Sequence, residues 1–278
     1  MTDALISLGS NQGDRAAALQ AAVDALAATA GCQVTAVSRW LGTVPIGGPT
    51  GQPEFLNGAV RVETSLAAEE LLARMHEIEA SLGRERTVRW GPRPLDLDLL
   101  LFGDVQIDRP DLNVPHPRLE CRQFVLKPAV EIAGDMIHPR LGWNLTRLLN
   151  HLYDSPPWLA VAAADEDIAS SFMQRLAVAS SAGLHIALPE NVLAAIAGSG
   201  SASPPSARFW LSQLPEAYMG LERNAARDGS LIIPRLTFVL DAPPVRWAPS
   251  LSLASADLDA AVRDVVAAIE ASLPENVG

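Results

Sequence analysis

Hydrophobic and polar positions follow two different periods along the first half of the chain. Short apolar runs closed by turn residues predict strands, and apolar positions three or four apart predict amphipathic helices between them. The predicted strands are Ala4–Leu8, Gln33–Leu41, Phe55–Val62 and Leu95–Phe102. The predicted helices are Arg15–Ala30, which Asp14 can cap, and Leu66–Leu82, which Gly83 can end.

The order β-α-β-β-α-β indicates a ferredoxin-like sandwich, an α+β fold. Two or three short helices are expected between about Pro117 and Leu152. The residues Tyr153–Pro157 (YDSPP) include several turn formers, and the character of the sequence changes there, which predicts a domain boundary. We therefore predict two domains, 1–156 and 157–278.

The second half predicts a smaller α/β domain. Apolar runs favour strands at Leu159–Ala164, Leu184–Leu188 and Leu236–Leu240. Helices are expected up to about Ala182 and over Ser255–Leu273.

The composition and net charge of the chain restrict its expected binding partners and its expected cellular location. Of the 278 residues, 49% are apolar and 19% charged, as in ordinary globular proteins, and no run approaches a membrane span. A formal charge of −11 argues against nucleic-acid binding. The acidic start at Met1–Asp3 and the short apolar run after it do not resemble a signal peptide. We expect a cytoplasmic protein.

Two residue types narrow the candidate chemistry. Cys32 and Cys121 lie far apart, outside any metal-ligand spacing, so both are expected to be reduced thiols. Lys127 is the single lysine, and arginine supplies every other fixed side-chain cation. A phosphate site in this chain would therefore be built from arginine.

Two carboxylates on one predicted strand are the clearest candidate site. Asp96 and Asp98 alternate with Leu95, Leu97 and Leu99, so both acids should project from one face of the sheet. That spacing suits magnesium held between carboxylates and phosphate oxygens. The alternative is a solvated strand face that merely carries acids.

The residues just before this strand favour the magnesium interpretation. Four arginines and one tryptophan that can stack on a flat heterocycle precede it, namely Arg84, Arg86, Arg89, Trp90 and Arg93. Metal and arginine together neutralise a triphosphate during phosphoryl transfer. The alternative is an exposed loop whose arginines pair with Glu79 and Glu85.

Together these residues resemble the signature of 6-hydroxymethyl-7,8-dihydropterin pyrophosphokinase, a folate-biosynthesis enzyme family. The chain reads RWGPRPLDLDLLLF over Arg89–Phe102. The resemblance covers about Ala4 to Leu152, and further segments that carry it are Gly9–Asn11, Thr43–Gly47, Gln52–Asn57, Val114–Pro117 and Arg122–Phe124.

The resemblance implies diphosphate transfer from ATP to the hydroxymethyl group of the pterin. The implied catalytic residues are Arg84, Arg93, Asp96 and Asp98, of which Asp96 and Asp98 would bind two Mg²⁺ ions. The residues implied for the pterin are Thr43, Pro45, Ile46, Phe55, Asn57, Trp90, Asp96 and Phe124. The residues implied for ATP are Leu72, His76, Glu79, Arg86, Trp90, Arg93, Leu99, Asn113, His116 and Arg122.

Two positions depart from the family pattern. Asp111 stands where some relatives carry arginine, and Pro117 where some carry tyrosine. The corresponding nucleotide contacts are therefore either absent or supplied by Arg109.

The second half weakly resembles a truncated deoxynucleoside kinase that lacks its phosphate loop. After the first strand, where a glycine-rich loop with lysine would stand, the chain reads Asp165–Ser171 (DEDIASS), which would repel phosphate. We expect a structural role, with a homodimer through this domain, or the binding of another ligand.

Two other functions fit the first half. One is a pterin- or nucleotide-binding regulator without turnover. The other is a different ATP-dependent transferase that acts on another heterocycle. The retained acids and arginines favour the pyrophosphokinase.

Overall fold

The computed structural model describes residues 1–46, 51–83, 93–155, 158–163, 165–180, 184–186, 192, 209–214, 234–241 and 248–272. The chain divides into two compact units, Met1–Leu149 and Asn150–Ser272. Both contain helices and strands, so this is a mixed α/β protein. Among the described helices, none has the length and apolar character to span a membrane.

The first unit is built on an antiparallel sheet. β1 (Thr2–Ser10) lies between β4 (Phe55–Thr64) and β5 (Asp96–Phe102), while β2 (Cys32–Val37) and β3 (Leu41–Thr43) both pair with β4. A hairpin of β6 (Ile107–Arg109) and β7 (Leu112–Val114) follows β5. The helices that begin in this unit are α1 (Arg15–Ala28), α2 (Ala68–Ser81), α3 (Gln123–Ala133) and α4 (Leu145–Asp154).

The two faces of the sheet are covered by different helices. Ala4, Ile6 and Leu8 of β1 belong to one buried cluster with leucines of β5 and apolar residues of α1 and α2. On the opposite face, α3 packs against β4 and β1. Arg61 of β4 donates to the Ile132 carbonyl at the end of α3 (3.3 Å). Helices therefore cover both faces of the sheet, α1 and α2 on one face and α3 on the other.

β5 has two halves of different character. The pairing with β1 changes register between Leu5 and Ile6. In the first half of β5, partly exposed acids alternate with buried leucine, whereas every residue of Leu99–Phe102 is buried. The second half of the strand therefore fixes the position of the first.

The single strand predicted over Gln33–Leu41 is wrong, because the structure contains two strands there. Between β2 and β3, Ser38 donates its backbone N–H to Ala59 O (3.0 Å), and its hydroxyl accepts the Ala59 N–H (2.9 Å). The Ser38 hydroxyl thus takes the place of a backbone carbonyl in the hydrogen bonding between these strands. Trp40 then packs over Gly58, where an added Cβ would approach the indole ring to 2.4 Å.

The second unit contains a parallel sheet in the order β12-β11-β8-β10-β9. Its strands are β8 (Trp158–Ala163), β9 (Leu184–Ile186), β10 (Phe209–Gln213), β11 (Leu236–Leu240) and β12 (Ser250–Leu253). Asp165 caps α5 (Glu166–Ala179) by accepting the N–H groups of Asp167 and Ile168. α5 packs against α6 (Leu258–Ala271) and against the first three strands of this unit.

Candidate active site

Three neighbouring strands place Asn57, Gly9 and Asp96 side by side across the first sheet. Gly9 on the central β1 is opposite Asn57 on β4 and Asp96 on β5. A Cβ on Gly9 would lie 3.3 Å from Asn57 Oδ1 and 4.0 Å from Asp96 Cβ and Phe55 Cδ1. The absent side chain leaves space between predicted pterin residues and a predicted metal ligand.

The predicted placement of the two acids on one face is confirmed. Asp96 and Asp98 are opposite Gly9 and Ser7 of β1, and their side chains are 23% and 33% exposed, while Leu97 is buried. Arg93 Nη1 lies 2.8 Å from Asp96 Oδ2, and His116 Nε2 lies 3.9 Å from Asp98 Oδ2.

The donor set fits magnesium better than a metal held by protein alone. No group of three or more His, Cys, Asp or Glu side chains in the described ranges is placed to bind a metal. Asp96 and Asp98 offer two carboxylates on one open face. Mg²⁺ is usually bound by one or two carboxylates together with substrate phosphates and water, so these two acids fit a magnesium–nucleotide site.

A cavity of about 310 Å³ opens beside the two acids, within the size range of small-molecule sites. Its wall comes from α2, β5, β7 and the turn after β7. Glu79 is buried there, and its Oε1 accepts the Leu97 N–H at 2.7 Å. The lining includes Leu72, His76, Glu79, Asp96, Leu97, Asp98, Leu99, Asp111, Leu112, Asn113, His116 and Pro117.

The predicted ATP residues are thus largely brought together. Leu72, His76, Glu79, Leu99, Asn113 and His116 all line this cavity. Both departures from the family pattern line it as well, and Arg109 lies 3.5 Å from Asp111 and 3.0 Å from Glu69. Arg109 therefore pairs with two acids, of which Asp111 lines the cavity.

His116 is an uncharged hydrogen-bond donor at neutral pH. Its Nδ1 accepts the Arg118 N–H (3.1 Å), so the ring hydrogen is on Nε2, which lies 3.9 Å from Asp98 Oδ2. Burial, followed by the charges of Arg122 and Arg118, lowers the pKa of His116 to about 3. The ring can therefore donate to an anionic ligand without carrying charge.

Arg122 connects the acids with an aromatic ring of the predicted pterin site. Its Cζ lies 5.6 Å from the centre of the Phe124 ring, a cation–π distance. Burial lowers the pKa of Arg122, and the Asp98 carboxylate raises it. An arginine remains charged at neutral pH, so a positive charge lies next to the predicted metal ligands.

The predicted pterin residues lie on and around β3, β4 and the start of α3. Asn57 Nδ2 donates to Thr43 Oγ1 (2.8 Å), which links β4 to β3 beside Gly9. Pro45 and Ile46 follow β3 and are partly buried. Phe124 is in the first turn of α3.

Some predicted residues cannot be placed. Arg84, Arg86 and Trp90 lie outside the described residues. Arg93, which follows them, is described and contacts Asp96.

Three residues at the site were not assigned a role from the sequence. Gly9 and Asn11 carried the resemblance only as part of the Gly9–Asn11 motif. Arg118 was missed altogether, although it follows the Val114–Pro117 motif by one residue. The signal for Gly9 and Asn11 was the Gly-Ser-Asn sequence that closes the first apolar run, because glycine permits a close approach to the backbone and asparagine favours turns.

Known proteins resemble the first unit. Residues 5–134 match the family described as 7,8-dihydro-6-hydroxymethylpterin-pyrophosphokinase (HPPK). The 2-amino-4-hydroxy-6-hydroxymethyldihydropteridine pyrophosphokinase of Synechocystis sp. is 40% identical over 155 residues, which is 56% of this chain and 78% of that protein. The enzyme of the same name from Bacillus subtilis is 50% identical over 129 residues, which is 46% of this chain and 77% of that protein.

Among solved structures, wild-type Plasmodium falciparum HPPK-DHPS crystallised with pteroate matches with a TM-score of 0.43 and 14% identity. The match covers 63% of this chain and 53% of that chain. A similarity this low carries no conclusion about either unit.

Proposed function

Because the chain belongs to the 7,8-dihydro-6-hydroxymethylpterin-pyrophosphokinase family, we propose that it transfers diphosphate from ATP to 6-hydroxymethyl-7,8-dihydropterin. The products are AMP and the pterin diphosphate, an intermediate of folate biosynthesis. The observation that supports the proposal is the row of Asn57, Gly9 and Asp96, in which a predicted pterin residue and a predicted metal ligand flank the same glycine.

Asp96 and Asp98 are proposed to bind two Mg²⁺ ions. Their position at the cavity, on one partly exposed face of β5, supports this assignment. Together with ATP, Mg²⁺ held by these two carboxylates would neutralise phosphate charge and help to orient the phosphate chain. Magnesium and ATP suit this donor set, which has two carboxylates and leaves the remaining ligand positions to phosphate and water.

The protein's own cations complete the phosphate site in this proposal. Arg93 and Arg122 stabilise the negative charge that develops on the transferred group, and neutral His116 donates from Nε2. Arg84, Arg86 and Trp90 are proposed to contribute as the family resemblance implies. Leu72, His76, Glu79, Leu99 and Asn113 are proposed to contact adenine and ribose, because they line the same cavity.

The pterin is proposed to lie between the rings of Phe55 and Phe124. Asn57 would hydrogen-bond its polar edge, and the space over Gly9 would receive the ring next to Asp96. Thr43 positions Asn57, and the backbone over Pro45 and Ile46 completes the edge. This arrangement brings the hydroxymethyl group towards the phosphate site.

In the proposed reaction, the pterin hydroxyl oxygen attacks the β-phosphorus in line. The bond between the β-phosphorus and the oxygen that bridges it to the α-phosphate breaks, AMP leaves with that oxygen, and the proton of the pterin hydroxyl is released to water. No covalent intermediate on the protein is required. The residues contribute by orienting both substrates and by stabilising charge.

We further propose that the first unit is a ferredoxin-like sandwich. The order β2-β4-β1-β5, with α1 and α2 on one face, supports it. The second unit is proposed to be a degenerate nucleoside-kinase-like domain. Its parallel sheet with β8 in the centre supports this, and Asp165 caps α5 where a phosphate loop would carry glycine and lysine.

A homodimer through the second unit and a cytoplasmic location remain predictions from the sequence. Light scattering of the purified protein across a range of concentrations tests the dimer. A mass equal to one chain at every concentration would count against it.

The proposed function is tested by incubating the protein with ATP, Mg²⁺ and 6-hydroxymethyl-7,8-dihydropterin and separating the nucleotides. AMP and pterin diphosphate in equal amounts are expected. ADP would indicate another kind of transferase, and tight binding of either substrate without any product would indicate a binding protein.

Asp98→Ala should lower kcat by about a hundredfold or more, because a metal ligand is lost. The free energy of unfolding should change by no more than about 0.5 kcal/mol, since the side chain is partly exposed. Asp104→Ala, in the exposed turn after β5, is the matched control and should leave kcat unchanged. Equal kcat in the two variants would contradict the assigned role of Asp98.

A further inference from the structure

Asn11 is a fully buried polar residue in the turn after β1. It lies outside the cavity beside β5 and was given no role by the family resemblance. Its backbone and side chain contact two segments that are far away in sequence. One contains Gln52 and Pro53, just before β4, and the other contains Arg93, just before β5.

The contacts to Arg93 are the shorter ones. Asn11 Oδ1 accepts the Arg93 backbone N–H at 2.8 Å, and the Asn11 N–H donates to the Arg93 carbonyl at 3.1 Å. Both polar groups of the Arg93 backbone are therefore bound by one residue. The Arg93 side chain then reaches Asp96, with Nη1 at 2.8 Å from Oδ2.

The other end of the Asn11 amide determines its orientation. Nδ2 donates to Gln52 Oε1 at 3.3 Å and to the Pro53 carbonyl at 3.4 Å. An amide has an acceptor and a donor at opposite ends, so these bonds direct Oδ1 towards Arg93. Aspartate would keep the acceptor but lose the donor, and alanine would lose both.

We propose that Asn11 is a positioning residue for diphosphate transfer, which fixes the backbone of Arg93 so that its guanidinium stays beside Asp96 and faces the phosphates. The inference rests on the proposed function. Asn11 touches the phosphates only through Arg93, so its effect should depend on the Arg93 side chain. A displacement of about 1 Å in such a group can reduce a rate a hundredfold.

A double-mutant cycle tests this dependence. Asn11→Ala should lower kcat for AMP formation by about tenfold or more, with both KM values within about threefold of the unaltered protein. In the Arg93→Ala background, the same change should lower kcat by less than about twofold. An equal loss in both backgrounds would show that Asn11 acts independently of Arg93 and would overturn the inference.

Gln12→Ala is the matched control, because Gln12 is the exposed neighbour in the same turn, and its kcat should not change. If Asn11→Ala does not fold, Asn11→Asp replaces it in the test. Aspartate at position 11 keeps an oxygen that accepts the Arg93 backbone N–H. The kcat of Asn11→Asp should therefore exceed that of Arg93→Ala by about tenfold. Equal kcat values for these two variants would overturn the inference.

Different results would contradict the proposed function and the proposed role of Asn11. If the unaltered protein forms no AMP from ATP and the pterin, the proposed function is wrong. If the unaltered protein forms AMP and folded Asn11→Ala forms it equally fast, the function stands and only the role of Asn11 is wrong.

Discussion

At Gly9, a hydrogen atom stands where a side chain would otherwise separate Asn57 from Asp96. The Asn57 oxygen is 3.3 Å from the position of an added Cβ, which is too close unless the amide moves. That amide is held by Thr43 through a 2.8 Å hydrogen bond, so the shift of a few tenths of an ångström that an added methyl group requires would strain this bond. The size of the residue at position 9 therefore controls the space proposed for the pterin.

Gly9→Ala should raise the KM for the pterin about tenfold and leave the KM for ATP nearly unchanged, because the methyl group enters the space proposed for the pterin and meets Asp96 only at the ordinary contact distance of 4.0 Å. Steady-state kinetics with each substrate varied in turn measures both values. Gly42→Ala is the control, since an added Cβ there meets nothing within 4 Å. An increase in the KM for ATP of the same size would contradict this prediction.

The residue types at the site could be predicted from the sequence, but the protonation state of His116 and the hydrogen bonds of Asn11 could not. The alternation of acids with leucines was sufficient to place Asp96 and Asp98 on one face, because a strand has a period of two. The neutral ring of His116 and the contacts of Asn11 depend on burial by segments distant in sequence. No pattern local to either residue contains that information.

Among the elements, the short 3-10 helix Leu119–Cys121 is held by a buried charge cluster. Glu120 is buried, its carboxylate accepts from Arg140, and Oε1 lies 3.1 Å from His138 Nε2. Burial raises the pKa of Glu120, but the charges of Arg140 and His138 outweigh this effect and lower the pKa to about 2. The ionised carboxylate therefore stabilises the connection between these two segments.

Because the folded state has the lower pKa, this stabilisation is complete above the ordinary pKa of 4.5 and is lost as pH falls towards 2. The free energy of unfolding should fall by about 3 kcal/mol through this group over that window. Denaturant unfolding at several pH values measures the loss. Glu120→Gln should lack this part of the pH dependence, whereas Asp104→Asn should retain it, and parallel curves for all three proteins would contradict the prediction.

Element prediction succeeded where a helical period or an apolar run was clear and failed where strands are short and contain polar residues. The strands around Ala4–Leu8 and Leu95–Phe102 and the first two helices are present, with ends shifted by a few residues. β10 (FWLSQ) and β12 (SLSL) were missed because polar residues interrupt them, so neither shows the apolar run that identified β8 and β11. The hairpin of β6 and β7 was missed because three-residue strands have too few positions to show a period.

For the whole molecule, the described site residues all lie in the first unit, Met1–Leu149. A fragment of residues 1–155 should therefore retain kcat within about threefold of the full chain. The fragment ends after α4, because Leu145, Leu148 and Leu152 of that helix are all fully buried and a cut at the unit boundary would interrupt it. The AMP assay with circular dichroism of both proteins checks this, and a folded but inactive fragment would show that the second unit is needed for catalysis.

One half of β5 is partly exposed and the other half is fully buried. This difference limits where residues can be inserted or deleted. One residue added within Leu99–Phe102 would exchange the faces of the whole amino-terminal half of β5, so that carboxylates would enter the apolar layer under α2 and leucines would face the cavity. The exposed turn at Asp104–Gln106 imposes no such condition. Insertions and deletions that preserve the enzyme should therefore fall in that turn and be absent from the strand.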